Sequence, residues 1–182
     1  TYDEVNAIFA GDPDMAAKYS DIMPMLGEMR RLKDILKAKR QRRGAIDFDL
    51  PEADIHLDGN GRAVDVSLHI RGEANMMIEE FMLAANETVA RDGVDKGLPL
   101  MYRVHEAPDP ERIKELNTFL HTLGYGVGNA EKVQPADVRK MLLKAAGSSE
   151  ERVINNVTLR AMTKAKYSPD CDGHFGLAAK YY

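Results

Sequence analysis

The stretch from Glu73 to Arg91 has the longest uninterrupted helical pattern in the chain. At about 100° per residue, a set of apolar side chains falls on one arc and predicts the buried face of a helix. Met76 and Leu83 add apolar surface outside that arc, so much of the circumference is expected to be buried. The residues of the arc are Met77, Ile78, Phe81, Ala85 and Val89.

Two polar stripes run along the same predicted helix. The first consists of glutamates seven residues apart and predicts a solvated edge. The second groups one glutamate with two asparagines within about 40° of one another. A carboxylate among amides and apolar neighbours needs hydrogen bonds or a ligand; the alternative is that it caps a loop or pairs with a basic residue. The first stripe is Glu73, Glu80 and Glu87, and the second is Asn75, Glu79 and Asn86.

The chain before this helix predicts two helices and a small sheet. Thr1 is a candidate N-cap for a short helix over residues 2–9. A turn at residues 11–14 is expected to start a long helix that ends near Gly44, although Pro24 offers a later first turn. Alternating apolar residues between 45 and 70, with a turn signal at 58–61, predict a small antiparallel sheet.

Three aspartates accompany the predicted sheet. Asp47, Asp49 and Asp54 alternate with apolar residues, which places them on the outer face of the strands. Their spacing matches no metal-binding loop, so a solvated strand face is favoured over a metal site.

The chain after residue 97 predicts a strand followed by further helices. Asp109 is expected to cap a helix that opens at Pro110, and Pro135 starts another helix with an apolar face. His105 follows the strand, and we interpret it as a hydrogen-bonded structural histidine in preference to an acid–base catalyst. The predicted fold class is therefore α+β, mostly helical, with one small antiparallel sheet.

Composition narrows the class of protein. The 182 residues fit one domain, and the net charge of −4 does not by itself indicate a nucleic-acid-binding protein. The single Cys171 excludes an internal disulfide. The sequence has no apolar run of about 18 residues, so no membrane span is predicted and a cytoplasmic location is expected.

One segment is strongly basic despite the net negative charge. Between Arg30 and Arg43 there are eight basic residues and one acid, Asp34. The favoured interpretation is a solvated helix face whose cations also compensate the helix dipole. The alternative is a set of phosphate contacts for RNA. The candidates for those contacts are Lys37, Lys39, Arg40, Arg42 and Arg43.

The segment IEEFMLAANETVA at residues 78–90 resembles the IEExMxxAN helix of the ribonuclease II and ribonuclease R family, in its catalytic RNB domain. Other segments follow in the family's order: TYDEV, GAIDFDLPEA, YRVHEAPDPERI and MTKAKYSPDCDGHFGLA. The resemblance covers essentially all of residues 1–182. It implies a partial RNB domain that lacks the family's upstream Asp cluster and its downstream TSPIRR-like motif.

The resemblance implies that the parent protein degrades single-stranded RNA processively from the 3′ end to 5′-mononucleotides. Magnesium would be held by the upstream Asp cluster, so the isolated chain is expected to bind no metal and to be inactive. In the family the tyrosine of TYxxV contacts RNA near the catalytic site, and this position is Tyr2. We expect Tyr2 and Glu79 to contact the same ribose, with Glu79 preferred over Glu80. The candidate RNA-binding residues are Tyr2, Asn75, Glu79, Glu80, Asn86, Arg40 and Arg43.

Two functions from different classes remain open on the sequence. The first is a piece of a magnesium-dependent exoribonuclease that forms part of the RNA channel. The second is a non-catalytic helical module whose basic helix binds RNA or an acidic protein. Apolar faces left exposed on a partial domain also make a homodimer of the isolated chain plausible.

Overall fold

The structure is a computed structural model that describes residues 1–48, 53–68 and 71–182. Within these residues helices predominate, and two antiparallel pairs of short strands accompany them. The helices are α1 (Tyr2–Phe9), α2 (Pro13–Lys18), α3 (Met23–Arg43), α4 (Glu73–Asp95), α5 (Pro110–Thr122), α6 (Pro135–Ala145) and α7 (Glu151–Ala161). The strands are β1 (Ala53–Leu57), β2 (Ala63–Leu68), β3 (Tyr102–Val104) and β4 (Lys166–Ser168). The predicted α+β class is confirmed.

The chain divides into two compact units. Unit 1 comprises residues 1–35 and 49–81, and unit 2 comprises residues 36–48 and 82–182. The two are described separately below. In the part of the chain that the structure covers, no helix is both long and apolar enough to cross a membrane.

Helix α1 of unit 1 begins as the sequence predicts. The Thr1 hydroxyl accepts a hydrogen bond from the backbone N–H of Glu4, and the Glu4 carboxylate bonds back to the cap residue. This reciprocal arrangement satisfies N–H groups that a helix start leaves unpaired. Asn6 then ties α1 to the start of α4, because its Oδ1 accepts from the Ala74 N–H at 2.8 Å.

The long basic helix starts later than the turn at residues 11–14 predicts. That turn opens only α2, whose N–H groups are capped by Asp12. Helix α3 begins at Met23, so Pro24 lies in its first turn, where the missing proline N–H costs no hydrogen bond. The alternative start that Pro24 offers is therefore confirmed.

The predicted sheet is confirmed for the hairpin of β1 and β2. Ile55 lies opposite Val66, and Asp58 accepts backbone hydrogen bonds that close the turn. Residues 45–48 were predicted as strand, and this is wrong: they form no strand, and Ile46 is buried in the core of unit 2. The predictions for Asp49 and Leu50 lie outside the described residues. Five apolar hairpin residues are each more than 60% exposed: Ile55, Leu57, Val64, Val66 and Leu68.

The core of unit 2 is formed mainly by helices α5, α6 and α7. Asp109 caps α5 and Pro110 occupies its first turn, as predicted. Apolar residues three and four positions apart on each helix point inward, because that spacing matches the helical repeat. The buried residues on these helices include Ile113, Leu116, Leu120, Val138, Met141, Leu142, Ala145 and Ile154.

The predicted buried arc of α4 is wrong in most of its members. Met77 is buried, but Ile78 is 41% exposed and Val89 is 61% exposed. Glu80, predicted on a solvated edge, is buried with 4% exposure. The buried residues of α4 include Ala74, Met77, Glu80, Leu83 and Ala90.

Ion pairs explain why the stripe of Glu73, Glu80 and Glu87 does not face solvent. Glu73 pairs with Lys33, whose side chain is only 4% exposed, at 2.6 Å. Burial alone would lower the pKa of Lys33, but hydrogen bonds to Asp34 and Glu73 outweigh it and raise that pKa. A carboxylate with a cationic partner can lie against other side chains at little cost, so the glutamate stripe need not be a solvated edge.

Candidate functional site

Tyr2 lies on the exposed side of α1 in unit 1. Its side chain is 49% exposed. Within residues 1–48, 53–68 and 71–182 its hydroxyl makes no hydrogen bond and no ring contact. A phenol with a free hydroxyl at the surface can both pack against a sugar and donate or accept a hydrogen bond.

The side chain of Asn75 forms hydrogen bonds within the protein at the start of α4. Its Oδ1 accepts from the Asn6 amide and from the Gly72 backbone N–H, each at 3.2 Å. Gly72 is required at this point, because a Cβ there would lie 2.3 Å from Asn6 Nδ2. Two hydrogen bonds occupy the acceptor capacity of Asn75, which leaves only its amide N–H₂ group for a ligand.

Glu79 and Glu80 have environments opposite to those expected. Glu79, expected among amides and apolar neighbours, forms an ion pair with Arg71 and keeps 34% of its side chain exposed. That pairing is the alternative interpretation of this residue. Glu80 is the buried carboxylate of the two. An exposed carboxylate with one cationic partner remains accessible to a ligand. A buried carboxylate is surrounded by other groups of the protein and is not accessible.

Three further candidates lie in unit 2 and make intramolecular contacts. Arg40 is 5% exposed and pairs with Asp47 at 3.5 Å. Asp47 is therefore an ion-pair partner in this unit, although it was predicted on a solvated strand face. Arg43 binds both oxygens of Glu87, at 2.6 and 2.7 Å, and donates to the Leu177 carbonyl at 3.1 Å. The Asn86 amide donates to the Tyr182 hydroxyl at 3.3 Å.

A pair of histidines that the sequence analysis did not connect lies in unit 2. The rings of His105 and His174 meet edge to face, with centroids 4.9 Å apart. His105 Nδ1 accepts from the Gly176 N–H at 3.0 Å, so its hydrogen is on Nε2, which donates to the Thr163 carbonyl at 2.9 Å. His174 Nδ1 accepts from the Leu177 N–H at 3.2 Å. The interpretation of His105 as a hydrogen-bonded structural histidine is confirmed.

Both histidines are held neutral by their surroundings. Burial lowers the pKa of His105 below its usual value, although the bond to the Thr163 carbonyl opposes this effect. Burial also lowers the pKa of His174 to about 4, and the nearby His105 ring and Arg103 add to the effect. A neutral imidazole keeps a lone pair on Nδ1, so each ring can accept a backbone N–H.

These rings organise a turn over residues 174–179, which we call the 174–179 turn. Its ends are joined because His174 N–H donates to the Ala179 carbonyl and Ala179 N–H donates back. The Ile46 N–H donates to the Gly176 carbonyl at 2.8 Å. Ala178 has a φ of 49°, a left-handed conformation that costs a residue with a Cβ roughly 1–2 kcal/mol. Several hydrogen bonds therefore hold a locally strained backbone.

The residues present do not fit a magnesium site. Among residues 1–48, 53–68 and 71–182, no group of three or more His, Cys, Asp or Glu side chains is placed to hold a metal ion. Mg²⁺ needs several oxygen ligands in a near-octahedral arrangement. No metal-dependent step is therefore assigned to this part of the chain.

The features that the sequence analysis missed share one property. The His105–His174 contact, the Lys33–Glu73 pair and the Arg43–Glu87 pair join residues between 40 and 69 positions apart. Periodicity cannot reveal such pairs, because it compares residues within one helix or strand. The HFGLA segment was the only available signal for the 174–179 turn.

Comparison with known proteins defines the class to which this arrangement belongs. The family model described as RNB domain matches residues 1–182. The chain is 42% identical over 182 residues to Ribonuclease R of Aquifex aeolicus, covering all of this chain and 26% of that protein. It is 40% identical over 183 residues to Ribonuclease R 1 of Lactococcus lactis, covering 22% of that protein.

A solved structure agrees with these sequence matches. The fold superimposes with a TM-score of 0.85 on Mycoplasma genitalium RNase R in complex with ribose methylated single-stranded RNA. That match has 25% identity and covers all of this chain and 28% of the other. The structure thus has the fold of a ribonuclease R catalytic domain segment. The chain belongs to the RNB domain family and spans about a quarter of the length of the relatives that it matches.

Proposed function

We propose that this chain is part of a 3′–5′ exoribonuclease that hydrolyses single-stranded RNA processively to 5′-mononucleotides. One observation carries the proposal: 42% identity to a ribonuclease R over all 182 residues. The fold match to an RNase R that was solved with single-stranded RNA supports it. In this proposal the chain forms one wall of the RNA channel, and the magnesium ligands belong to other parts of the protein.

The isolated chain is expected to release no mononucleotides from single-stranded RNA in the presence of magnesium. The reason is that its described residues contain no cluster of three or more side chains placed to hold a metal ion, and the resemblance places the metal ligands upstream. The measurement is a denaturing-gel assay of a 5′-labelled RNA, with the full-length protein as the positive control. Hydrolysis by the isolated chain, in a preparation shown to be free of host nucleases, would contradict this prediction.

The ribose contact is proposed for Tyr2 and Glu79. Both belong to unit 1, the Tyr2 hydroxyl has no hydrogen-bond partner among the residues that the structure describes, and Glu79 keeps an accessible carboxylate beside Arg71. The 2′-hydroxyl is the group by which RNA differs locally from DNA, and it can donate to a carboxylate. A hydrogen bond to a charged acceptor contributes about 1.5–3 kcal/mol, which corresponds to roughly 10- to 150-fold discrimination against a sugar that lacks the hydroxyl.

The double variant Tyr2→Phe/Glu79→Ala of the full-length protein removes the acceptor and is therefore expected to lose much of its preference for RNA over DNA. The measurement is kcat/KM for matched RNA and DNA oligonucleotides. Arg71→Gln is the matched control, because it breaks the ion pair while keeping the Glu79 carboxylate, and it should preserve the RNA preference. If Arg71→Gln relaxes the preference equally, Glu79 acts through its ion pair and does not contact the ribose.

A non-catalytic binding module remains the second candidate. The observation that favours it is the basic segment from Arg30 to Arg43, which has eight basic residues and one acid. Magnesium-dependent hydrolysis of RNA by the full-length protein would exclude it. RNA binding without hydrolysis under the same conditions would support it.

Self-association of the isolated chain is a separate prediction. The surface that we expect it to use is the apolar face of the β1–β2 hairpin, where Ile55 and Val66 lie opposite each other and are both more than 60% exposed. Directly opposed residues of an antiparallel pair share one face, so these side chains form a continuous apolar strip.

A further inference from the structure

Unit 2 contains a groove lined by basic side chains. It is a cavity of about 340 Å³ between the last turn of α3 and the outer face of α6. The charged side chains among its described lining residues are Arg42, Arg139 and Lys140, and no Asp or Glu is among them. Leu143, which is 57% exposed, forms its apolar edge. We call this cavity the α3–α6 groove.

The backbone at Gly44 makes this groove possible. Gly44 has a φ of 96°, and a Cβ built on it would lie 2.8 Å from the Cβ of Ala136. Real Cβ atoms do not approach this closely, so a glycine is needed for the end of α3 to meet the first turn of α6. The close approach brings the side chain of Arg42 beside those of α6.

The outward direction of the basic residues on α6 follows from its core face. Val138, Met141, Leu142 and Ala145 are buried. Residues 136, 139, 140 and 143 recur at the same three- and four-residue spacing on the other side, so they share one outer face. Arg139 and Lys140 are therefore fixed at the groove by the packing of the helix that carries them.

The cations of the groove differ from the other basic residues of α3. Arg40 and Arg43 pair with Asp47 and Glu87. By contrast, Arg42, Arg139 and Lys140 have no hydrogen bond or ion pair from their side chains to any residue in the described ranges. Acidic residues outnumber basic ones in this chain, 29 to 25, so unpaired cations in one groove are not a result of general basicity. Like charges held close together without partners are stabilised when an anion binds between them.

We propose that the α3–α6 groove binds the phosphodiester backbone of RNA. The inference rests on the proposed function, in which the full-length protein acts on RNA. Guanidinium groups bind phosphate oxygens through paired hydrogen bonds, and a lysine adds a mobile point charge. None of the lining residues that the structure describes is aromatic, so they offer no platform for stacking bases. The groove therefore binds RNA without regard to sequence.

An acidic protein partner fits the groove less well than RNA. Protein interfaces depend on buried aromatic or large apolar anchors at their centre. Among the part of the chain described at the groove, Leu143 is the single large apolar side chain, and it lies among three cations. The composition of the groove matches a polyanion with regularly spaced charges.

The test compares two triple variants of the full-length protein. Arg42→Gln/Arg139→Gln/Lys140→Gln removes the charges of the groove. The control Lys132→Gln/Arg152→Gln/Arg160→Gln removes two arginines and one lysine from exposed positions outside it. Binding of a 5′-fluorescein-labelled single-stranded oligoadenylate is measured by anisotropy at several salt concentrations, with EDTA present to prevent hydrolysis.

The groove variant is expected to bind the oligoadenylate at least about tenfold more weakly than wild type near physiological salt. Its plot of log K against log salt should be shallower by about two, because each phosphate contact on a single strand contributes roughly 0.7 to the slope. The control variant should retain the wild-type slope. Equal slopes for the two triple variants would overturn the proposal, while wild-type hydrolysis of RNA would leave the proposed function intact. A wild-type protein that neither binds nor hydrolyses RNA would overturn both.

A crosslinking experiment locates the contact without removing charge. Leu143→p-benzoylphenylalanine places a photoreactive group at the edge of the groove and is expected to crosslink to the oligoadenylate. Val153→p-benzoylphenylalanine, at a position 48% exposed on α7, is the control and should not crosslink. The absence of a crosslink at Leu143 would overturn the proposal. Displacement of the Leu143 crosslink by polyglutamate at lower concentrations than by unlabelled RNA would assign the groove to acidic proteins and would also overturn it.

Discussion

Arg40→Ala is expected to lower the free energy of unfolding by about 3 kcal/mol and to leave the salt dependence of RNA binding unchanged. Arg40 is 5% exposed, and its guanidinium lies 3.5 Å from the Asp47 carboxylate. Truncation removes a buried cation and leaves Asp47 without it. Because Asp47 is 38% exposed and can regain water, the expected loss lies at the lower end of the range for broken buried pairs. The measurement is urea unfolding of the 182-residue chain.

Arg42→Ala is the matched control on the same helix. Arg42 is exposed and has no partner in the described part of the chain, so its removal should change stability by less than about 0.5 kcal/mol. In the full-length protein it should reduce the salt slope of RNA binding by about 0.7. Equal stabilities for the two variants would show that the Arg40–Asp47 pair contributes little. A variant that truncates all basic residues from 37 to 43 would combine the loss of stability expected at Arg40 with the weaker RNA binding expected at Arg42.

These two arginines show how far the basic segment could be interpreted from sequence. The eight cations between 30 and 43 were visible, and a role in RNA binding was one of two interpretations. The structure divides them, because Lys33 and Arg43 meet Glu73 and Glu87, 40 and 44 residues away. No local pattern indicates which member of a charge run finds such a partner. Arg139 and Lys140 were missed because they lie on another helix.

Local patterns predicted the elements whose burial follows a single face. Helix α6 is the clearest case, since the residues of its predicted apolar face, Val138, Met141, Leu142 and Ala145, are all buried. The β1–β2 hairpin was predicted from its turn, because Asp58 and the two glycines after it favour that backbone conformation by themselves. Both patterns involve residues close together in the sequence, so the local structure that they predict does not depend on distant contacts.

The buried face of α4 was predicted wrongly for the opposite reason. Apolar residues lie almost all around it, so hydrophobicity alone did not select the buried face. Buried Glu80 and the ion-paired Glu73 and Glu87 lie along the true contact face, where the sequence predicted solvent. Tertiary partners therefore selected the face. The preference for Glu79 over Glu80 as a ligand contact stays a prediction, and its basis is now that Glu79 is the accessible carboxylate.

Lowering the pH from 7 to 4.5 is expected to destabilise unit 2 through His174. Its pKa is about 4 in the folded protein and near 6.5 in an unfolded chain. Between these values the unfolded chain takes up a proton that the folded chain does not, so unfolding becomes more favourable as the pH falls. After allowance for partial solvent screening, the loss is on the order of 2 kcal/mol. The lowered pKa of His105 acts in the same direction.

The physical cause of this loss is specific to the 174–179 turn. A proton on Nδ1 of His174 would face the Leu177 N–H, and one on Nδ1 of His105 would face the Gly176 N–H. Each protonation therefore replaces a hydrogen bond by two opposed donors. Because Ala178 is held in a left-handed conformation by the same turn, we expect the turn to open locally before the rest of unit 2 unfolds. Amide hydrogen exchange at Gly176 and Leu177, corrected for the intrinsic pH dependence, should accelerate at pH 4.5.

The control for this prediction is His174→Asn. Asparagine places an acceptor oxygen near the position of Nδ1, so it can still receive the Leu177 N–H, but it does not titrate. The difference in unfolding free energy between pH 7 and pH 4.5 should therefore shrink by about 2 kcal/mol relative to wild type. His121→Asn, at an exposed position on α5, removes a histidine without touching the turn and should preserve the wild-type difference. An equal pH dependence in wild type and His174→Asn would contradict the prediction and assign the acid sensitivity to groups other than His174.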